Sequence, residues 1–219
     1  MARIPVPNWK ETKASTNTAI TPSLIMVVSK LFVRRRSWLQ FGQWVSSRRP
    51  GSPGRHPQSG HSGSEQWSYQ TGGLVESTPA VVDGTVYVGS RDGYVYALSA
   101  SDGSEYWSYE TGDFVNSSPT VVDGMVYVGC IDSSVYALSA SDGSEEWTYE
   151  TGDYVSGSPA VVGGTVYIGS GDNSVYGLSA SDGSEQWSYQ TDNFVISSPA
   201  VADGTIYIGS GDGSVYALS

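Results

Sequence analysis

The chain has 219 residues, with 22 acidic and 11 basic side chains and a formal net charge of −11 at pH 7. The charge is divided unevenly: residues 1–60 hold ten of the eleven lysines and arginines beside one acid, Glu11, so residues 61–219 carry a single basic residue, Arg91, against 21 acids, a net charge of −20. Such an acidic surface excludes recognition of nucleic acid by residues 61–219, because a phosphate backbone needs basic neutralisation, and a lone cysteine, Cys130, excludes an intrachain disulfide and leaves the compartment unassigned.

Residues 1–60 contain no repeat and end in a Pro/Gly/Ser/Arg-rich run over 46–60, the composition of a linker or disordered segment. Their most apolar stretch, Ala19–Val33, is interrupted by Thr21, Pro22 and Lys30, which makes it too short and too polar for a membrane span. It is also a poor signal peptide, with a short apolar core and no clean small-residue cleavage site. No apolar run follows Arg34-Arg35-Arg36 or Arg48-Arg49, so a twin-arginine export signal is not supported. The segment is expected to be a disordered tail, or not to be native coding sequence in register with residues 61–219; its charge contrast with them supports that.

From residue 61 onward a unit of 40 residues recurs four times: His61–Ala100, Ser101–Ala140, Ser141–Ala180 and Ser181–Ser219. The second and third copies match at 27 of 40 positions. In the first copy, Pro79–Val82 and Thr85–Gly89 flank Asp83-Gly84, a two-residue hairpin signal in which both turn residues need positive φ. The later copies keep it as Asp123-Gly124, Gly163-Gly164 and Asp203-Gly204. A second turn, Ser90–Gly93, leads into a strand over Tyr94–Ala100, and a third, Ser101–Gly103, into a strand over Glu105–Thr111. Val86 and Val88 alternate with Tyr87, and Val95 and Ala97 with Tyr96, a period of two with no helical spacing anywhere in the unit. Four short strands per 40 residues, repeated, predict an all-β fold of β-propeller blades, whose sheets must cover one another's faces. Trp67, Trp107, Trp147 and Trp187 recur at one position per repeat. They are read as blade-to-blade packing residues, since a binding aromatic has no reason to recur identically in every blade.

The run Ala-Leu-Ser-Ala-Ser-Asp-Gly-Ser-Glu-x-Trp at Ala97–Trp107 and Ala137–Trp147, and its variant at Gly177–Trp187, resembles the tryptophan-docking motif of pyrroloquinoline-quinone (PQQ) type propeller repeats. The resemblance covers His61–Ser219. WD-type and kelch-type repeats fit less well, because neither a recurring Gly-His…Trp-Asp pair nor a double glycine opening each unit is present. The family implies strand roles: Ser-Pro-Ala-Val-Val as the innermost strand A, Thr-Val-Tyr-Val-Gly as B, Val-Tyr-Ala-Leu as C and the tryptophan strand as the outer D. In that frame the repeats start with a lone D strand, Glu65–Thr71, and stop at a C strand, Ser214–Ser219. Three arrangements are compatible with this offset. The first D strand completes the last sheet and closes a four-blade ring; or two chains build one eight-blade ring as a homodimer; or the chain is a fragment of a longer product. The resemblance also implies an extracytoplasmic location, although the sequence carries no convincing signal peptide.

The search for chemistry returns mostly negatives. The only histidines, His56 and His61, lie at the edge of the linker, so no histidine-based triad and no His/Cys metal cluster can be assembled within the repeats. Asp92, Asp132, Asp172 and Asp212 recur beside a tight turn, where aspartate ordinarily serves the turn. Calcium binding by acidic loops is the alternative. The quinoprotein dehydrogenases of the resembled family need an adjacent cysteine pair, which one cysteine cannot supply, and none of their catalytic residues carries over to a position here. The function expected is a non-catalytic binding or scaffold module without a cofactor, similar in kind to the propeller lipoprotein of the outer-membrane barrel-assembly machinery and to propeller sensor domains. The alternative is a fragment of a PQQ- and calcium-dependent dehydrogenase.

Differences among the copies cluster. Position 76 is Glu, then Asn116, Ser156 and Ile196; position 91 is Arg, then Ile131, Gly171 and Gly211; position 94 is Tyr, then Ser134, Ser174 and Ser214. All fall in or beside the D-to-A and B-to-C connections, which share one face of an up-and-down blade. Function tends to reside on variable loops held by a rigid scaffold, so a partner is expected on this face around Glu76, Arg91, Tyr94, Asn116 and Ile131. The acidity of the repeats, which contain no lysine, resembles that of haloarchaeal proteins and predicts a fold that needs salt.

Overall fold

The computed structural model describes residues 63–219; the reading of residues 1–60 as a tail lies outside the described residues. The first sheet is built from β1 (Ala80–Val82), β2 (Thr85–Gly89), β3 (Tyr94–Ser99) and β4 (Glu105–Glu110). The second holds β5 (Thr120–Val122), β6 (Met125–Gly129), β7 (Ser134–Ser139) and β8 (Glu145–Glu150), and the third β9 (Ala160–Val162), β10 (Thr165–Gly169), β11 (Ser174–Ser179) and β12 (Glu185–Gln190). The last has three strands, β13 (Ala200–Ala202), β14 (Thr205–Gly209) and β15 (Val215–Leu218). Each sheet is an antiparallel meander in sequence order, and the first three are the four-stranded up-and-down blades of a β-propeller.

The turns set this order. Asp83 and Gly84 have φ of 48° and 78°, and the pair recurs at Asp123 and Gly124 (52°, 78°), Gly163 and Gly164 (61°, 80°), and Asp203 and Gly204 (50°, 76°). Two left-handed residues in succession give a hairpin turn whose twist matches that of the flanking strands, and Val82 pairs directly with Thr85 across it. Between β3 and β4 the register slips by one residue after Ala97, a bulge repeated in β7–β8 and β11–β12. The slip leaves Trp107 opposite Ala97 and turns its indole toward the next blade.

Blades join through a valine–glycine fit at all three boundaries and a tryptophan contact at the first two. The Val115 side chain packs on Gly89 so closely that a β-carbon there would lie 2.5 Å from its Cγ1, and Val155 on Gly129 and Val195 on Gly169 repeat the fit. The same valines donate their backbone N–H to Ser90 O, Cys130 O and Ser170 O at 2.9–3.0 Å. Trp107 Nε1 donates to Ala140 O and Trp147 Nε1 to Ala180 O, both at 3.1 Å, with the rings lying on Gly143 and Gly183. Around these contacts lie buried clusters such as Val95, Val115, Val126 and Val128, and then Val135, Val155, Val166 and Ile168. Among the described residues all buried side-chain polar atoms are paired.

The series of blades has two free ends. Val115, Val155 and Val195 are fully buried, whereas Val75, the same position in the first blade, is 48% exposed. Val95, Val135 and Val175 are fully buried, whereas Val215 in the last blade is 79% exposed. A β-carbon on Gly209 would meet only Ser197, with no valine from a following blade. Residues 65–71, expected as a lone D strand, have no strand partner. They lie against the first blade as β4 lies against the second: Trp67 Nε1 donates to Ala100 O at 3.0 Å, its ring covers Gly103, and the Gly72 N–H donates to Asp92. Closure of the last sheet by this segment within one chain is therefore not the arrangement found. The D position beside β15 is open, with a cleft of about 400 Å³ lined by Trp187, Ser188, Tyr189, Ala217, Leu218 and Ser219.

Candidate partner-binding face

The D-to-A and B-to-C connections come together because each N–H that follows a B strand seeks a carbonyl in the connection before strand A. Arg91 N donates to Leu74 O, Ile131 N to Phe114 O, Gly171 N to Tyr154 O and Gly211 N to Phe194 O, at 2.8–3.0 Å. Beneath them each B-to-C turn is held by its aspartate. Asp132 Oδ1 accepts the Ser134 N–H at 2.9 Å, and Oδ2 accepts the Tyr136 hydroxyl at 2.7 Å and the Gly112 N–H of the preceding connection at 2.8 Å. Burial pushes the Asp132 carboxyl up, but these donors outweigh it and hold it below the ordinary carboxylate range. Asp92 and Asp172 repeat the balance. Asp212, with the Tyr216 hydroxyl as its strongest donor, is held at about 2. The aspartates are thus turn and blade clamps.

Of the five residues expected on this face, three meet directly. Arg91 Nη2 lies 3.0 Å from Glu76 Oε2, and its Nε donates to Asn116 Oδ1 at 3.0 Å, so the group bridges the first and second blades. The guanidinium also stands 5.6 Å from the centre of the Phe114 ring, a cation–π contact. Ile131 joins through its backbone bond to Phe114. Tyr94 stands apart: it lies beside Tyr96 at 5.8 Å and opposite Glu110 on β4, whose carboxylate raises its hydroxyl above the ordinary tyrosine value. Trp67, Trp107, Trp147 and Trp187 lie between strands and blades and add nothing to the face.

A row of apolar side chains on this face escaped the comparison of copies. Leu74, Phe114, Tyr154 and Phe194 occupy one position per repeat, and Leu74 and Phe114 are 64% and 44% exposed, with Phe194 also exposed. The signal was present as an apolar residue always two places after Thr-Gly or Thr-Asp, but a search for differences passes over what recurs. The row also explains one difference. The Tyr154 and Phe194 rings lie over Gly171 and Gly211, where a β-carbon would come within 2.6 Å of each ring; with Arg91 and Ile131 at that position, this seat is filled.

A family model described as outer membrane protein assembly factor BamB matches residues 58–155 and 152–219. The chain belongs to the PQQ-type propeller family. Among solved structures, it is similar to BamB from Moraxella catarrhalis, at 22% identity and a TM-score of 0.63 over 70% of this chain and 49% of that one. It is similar to the quinohemoprotein alcohol dehydrogenase ADHIIG from Pseudomonas putida HK5, at 28% identity and a TM-score of 0.61 over 68% of this chain and 30% of that one. The computationally designed Ika4 protein superposes with a TM-score of 0.65 at 18% identity, over 71% of this chain and 98% of that one. The chain thus spans about half of the BamB chain and under a third of the dehydrogenase. Among curated proteins there is no match.

Among the described residues no three His, Cys, Asp or Glu side chains converge on a common point. The recurring aspartates spend their oxygens on tyrosine hydroxyls and backbone N–H groups. Cys130 is buried and donates to Asp113 O at 3.1 Å, and burial pushes its thiol up to about 11. Among the described residues no helix is long and apolar enough to cross a membrane.

Proposed function

We propose that the chain is a non-catalytic binding scaffold, working without a cofactor, that receives a protein partner on the face formed by the D-to-A and B-to-C connections. The observation that carries this reading is the exposed row of Leu74, Phe114 and Phe194 beside the tethered Arg91. Exposed apolar rows rimmed by polar groups mark docking surfaces, and aromatic residues and arginine are the types enriched where proteins meet. Kinship with a family described as an assembly factor supports it. A photo-crosslinker at Phe114 should capture a defined protein, and the variant E76S/R91G/Y94S/N116S/I131G, which carries the residues of the third repeat, should bind that protein at least tenfold more weakly. Unchanged affinity in the variant would overturn the choice of face. A bound quinone absorbance with dye reduction by alcohols, after addition of PQQ and calcium, would favour the dehydrogenase alternative.

We further infer that one protein partner is a second copy of the chain, closing an eight-blade ring. Four blades leave Val75 and Val215 uncovered, and rings run from about four to eight blades, so the next multiple of four is eight. The front of the first blade lacks what the back of a fourth blade offers, a contact the chain already makes at three boundaries. Covering the half-exposed Val75 and the mostly exposed Val215 is worth about 1 kcal/mol each. Light scattering of the full chain in concentrated KCl should give twice the chain mass. Gly209→Val, whose β-carbon would meet nothing closer than Ser197 Oγ at 3.5 Å among the described residues, should halve that mass and leave the circular dichroism spectrum unchanged; a monomeric parent chain would sink the inference.

A further inference from the structure

Resting on the two-copy ring, we propose that the copies exchange strands: residues 63–71 of each chain form the fourth strand of the other chain's last sheet, laid antiparallel along β15. Three observations on different parts of the molecule converge on this pairing. The first is sequence. Residues 65–70 read Glu-Gln-Trp-Ser-Tyr-Gln, the same six residues as β12, Glu185–Gln190, so the segment carries a complete D-strand pattern, yet it pairs with no strand.

The second is that this segment is already fixed on the side that D strands turn toward the following blade. Trp67 is bonded to Ala100 O, Tyr69 donates to Glu105, and Gly72 N–H is held by Asp92, as Trp107, Tyr109 and Gly112 are held one blade later. Its unsatisfied side is therefore the backbone edge, which in β4, β8 and β12 pairs with the C strand of the same sheet. Among the described residues no C strand lies along that edge of residues 65–71.

The third is the open position at the other end. Among the described residues the edge of β15 facing the D position has no partner, and Trp187 lines the cleft beside it. In the other blades a glycine of the C-to-D turn covers the tryptophan face: Gly103 lies on Trp67, Gly143 on Trp107 and Gly183 on Trp147. Gly63 holds the matching place before the leading segment, two residues ahead of Glu65 as Gly103 is ahead of Glu105, and among the described residues nothing lies within 4 Å of its β-position. Seated on Trp187 of the second copy, it fills that place.

The register follows from the three complete sheets. Tyr94 pairs with Glu110, Ser134 with Glu150 and Ser174 with Gln190, so Ser214 pairs with Gln70 of the second copy. In the same way Val215 faces Tyr69, Tyr216 faces Ser68 and Ala217 faces Trp67. Val75 of the second copy then reaches Gly209, and its N–H meets Ser210 O, as Val115 meets Gly89 and Ser90.

The test is a cysteine pair in the full chain, Q70C/S214C in a Cys130→Ser background, since serine is the residue of the sibling repeats at that position. Both replaced residues are exposed. Mild oxidation in concentrated KCl should convert most of the protein into a covalent dimer on non-reducing gels, while the off-register pair S68C/S214C should give at least fivefold less. A linked monomer would overturn the exchange, because it means the strand closes on its own chain. A dimer by light scattering that does not link at Q70C/S214C would overturn the exchange and leave the two-copy ring standing. A monomer that does not link would overturn both.

Discussion

At the scale of single residues, the aspartates of the B-to-C turns show how one side chain can secure a turn, a strand and a blade boundary together. Asp132 accepts from Ser134 in its own turn, Tyr136 on β7 and Gly112 in the preceding connection. Hydrogen bonds to a charged acceptor are worth more than neutral ones, so Asp132→Ala should lower unfolding stability by about 2–3 kcal/mol in a denaturant titration, with a loss below about 0.5 kcal/mol contradicting the clamp. The same bonds set the response to acid. The carboxyls of Asp92, Asp132, Asp172 and Asp212 are held below the ordinary value of 3.8, with Asp212 at about 2. Their contribution is therefore present above about pH 4 and is lost as the pH falls toward 2. At the alkaline end, the hydrogen bond to Glu105 raises Tyr69 to about 12, and burial followed by the bond to Asp172 raises Tyr176 to about 12. That contribution is complete below pH 10 and is lost as the pH rises through 12. Tryptophan fluorescence should stay flat from pH 5 to 9 and change outside it; a transition inside that window would contradict these assignments. The turn aspartates were legible in the sequence from their place beside Gly93 and its equivalents. Their second bond, to a connection 20 residues away, was not, because nothing local in the sequence records which loop a blade lays over its neighbour.

At the scale of elements, glycine positions separate what holds a blade from what joins blades. Gly129 and Gly209 end equivalent B strands with the same local sequence, Tyr-(Val/Ile)-Gly, yet a β-carbon on Gly129 would stand 2.4 Å from Val155 Cγ1, while one on Gly209 has room. Gly129→Ala should therefore cost about 2–3 kcal/mol by overpacking, against under 0.5 kcal/mol for Gly209→Ala measured on the monomer in the same titration. Equal costs would mean that the boundary fit is not what these glycines provide. The strands themselves were readable to within a residue, since hairpin turns with two left-handed positions leave few alternatives. The segment at residues 65–71 was the exception. It has the sequence of a strand without being one in the single chain, because strand formation needs a partner edge that local sequence cannot guarantee.

At the scale of the whole molecule, 21 acids and one arginine over residues 61–219 leave repulsion with little to offset it, and the one ion pair among the described residues joins Arg91 to Glu76. Counter-ions shorten the reach of that repulsion to about 3 Å at 1 M salt. The melting temperature should rise by at least 10 °C between dilute buffer and concentrated KCl, and equal melting in the two would count against the salt requirement. The propeller architecture is legible in the 40-residue period of the sequence. Whether four blades come round on themselves is not, because ring closure depends on the small angle between neighbouring blades, which is set by fits such as Val115 on Gly89 and not by any residue pattern.

The exposed Val75 and the uncovered Gly209 also bear on how the molecule comes apart. A row of blades that each touch only their neighbours unravels from its ends, so in an isolated chain the last sheet, one strand short, should exchange its amide hydrogens first and the two middle blades last. Joined end to end with a second copy, the row has no terminus from which to start. Protection would then become even around all four blades and depend on protein concentration, so that the durability of each blade is a property of the pair and not of the single polypeptide.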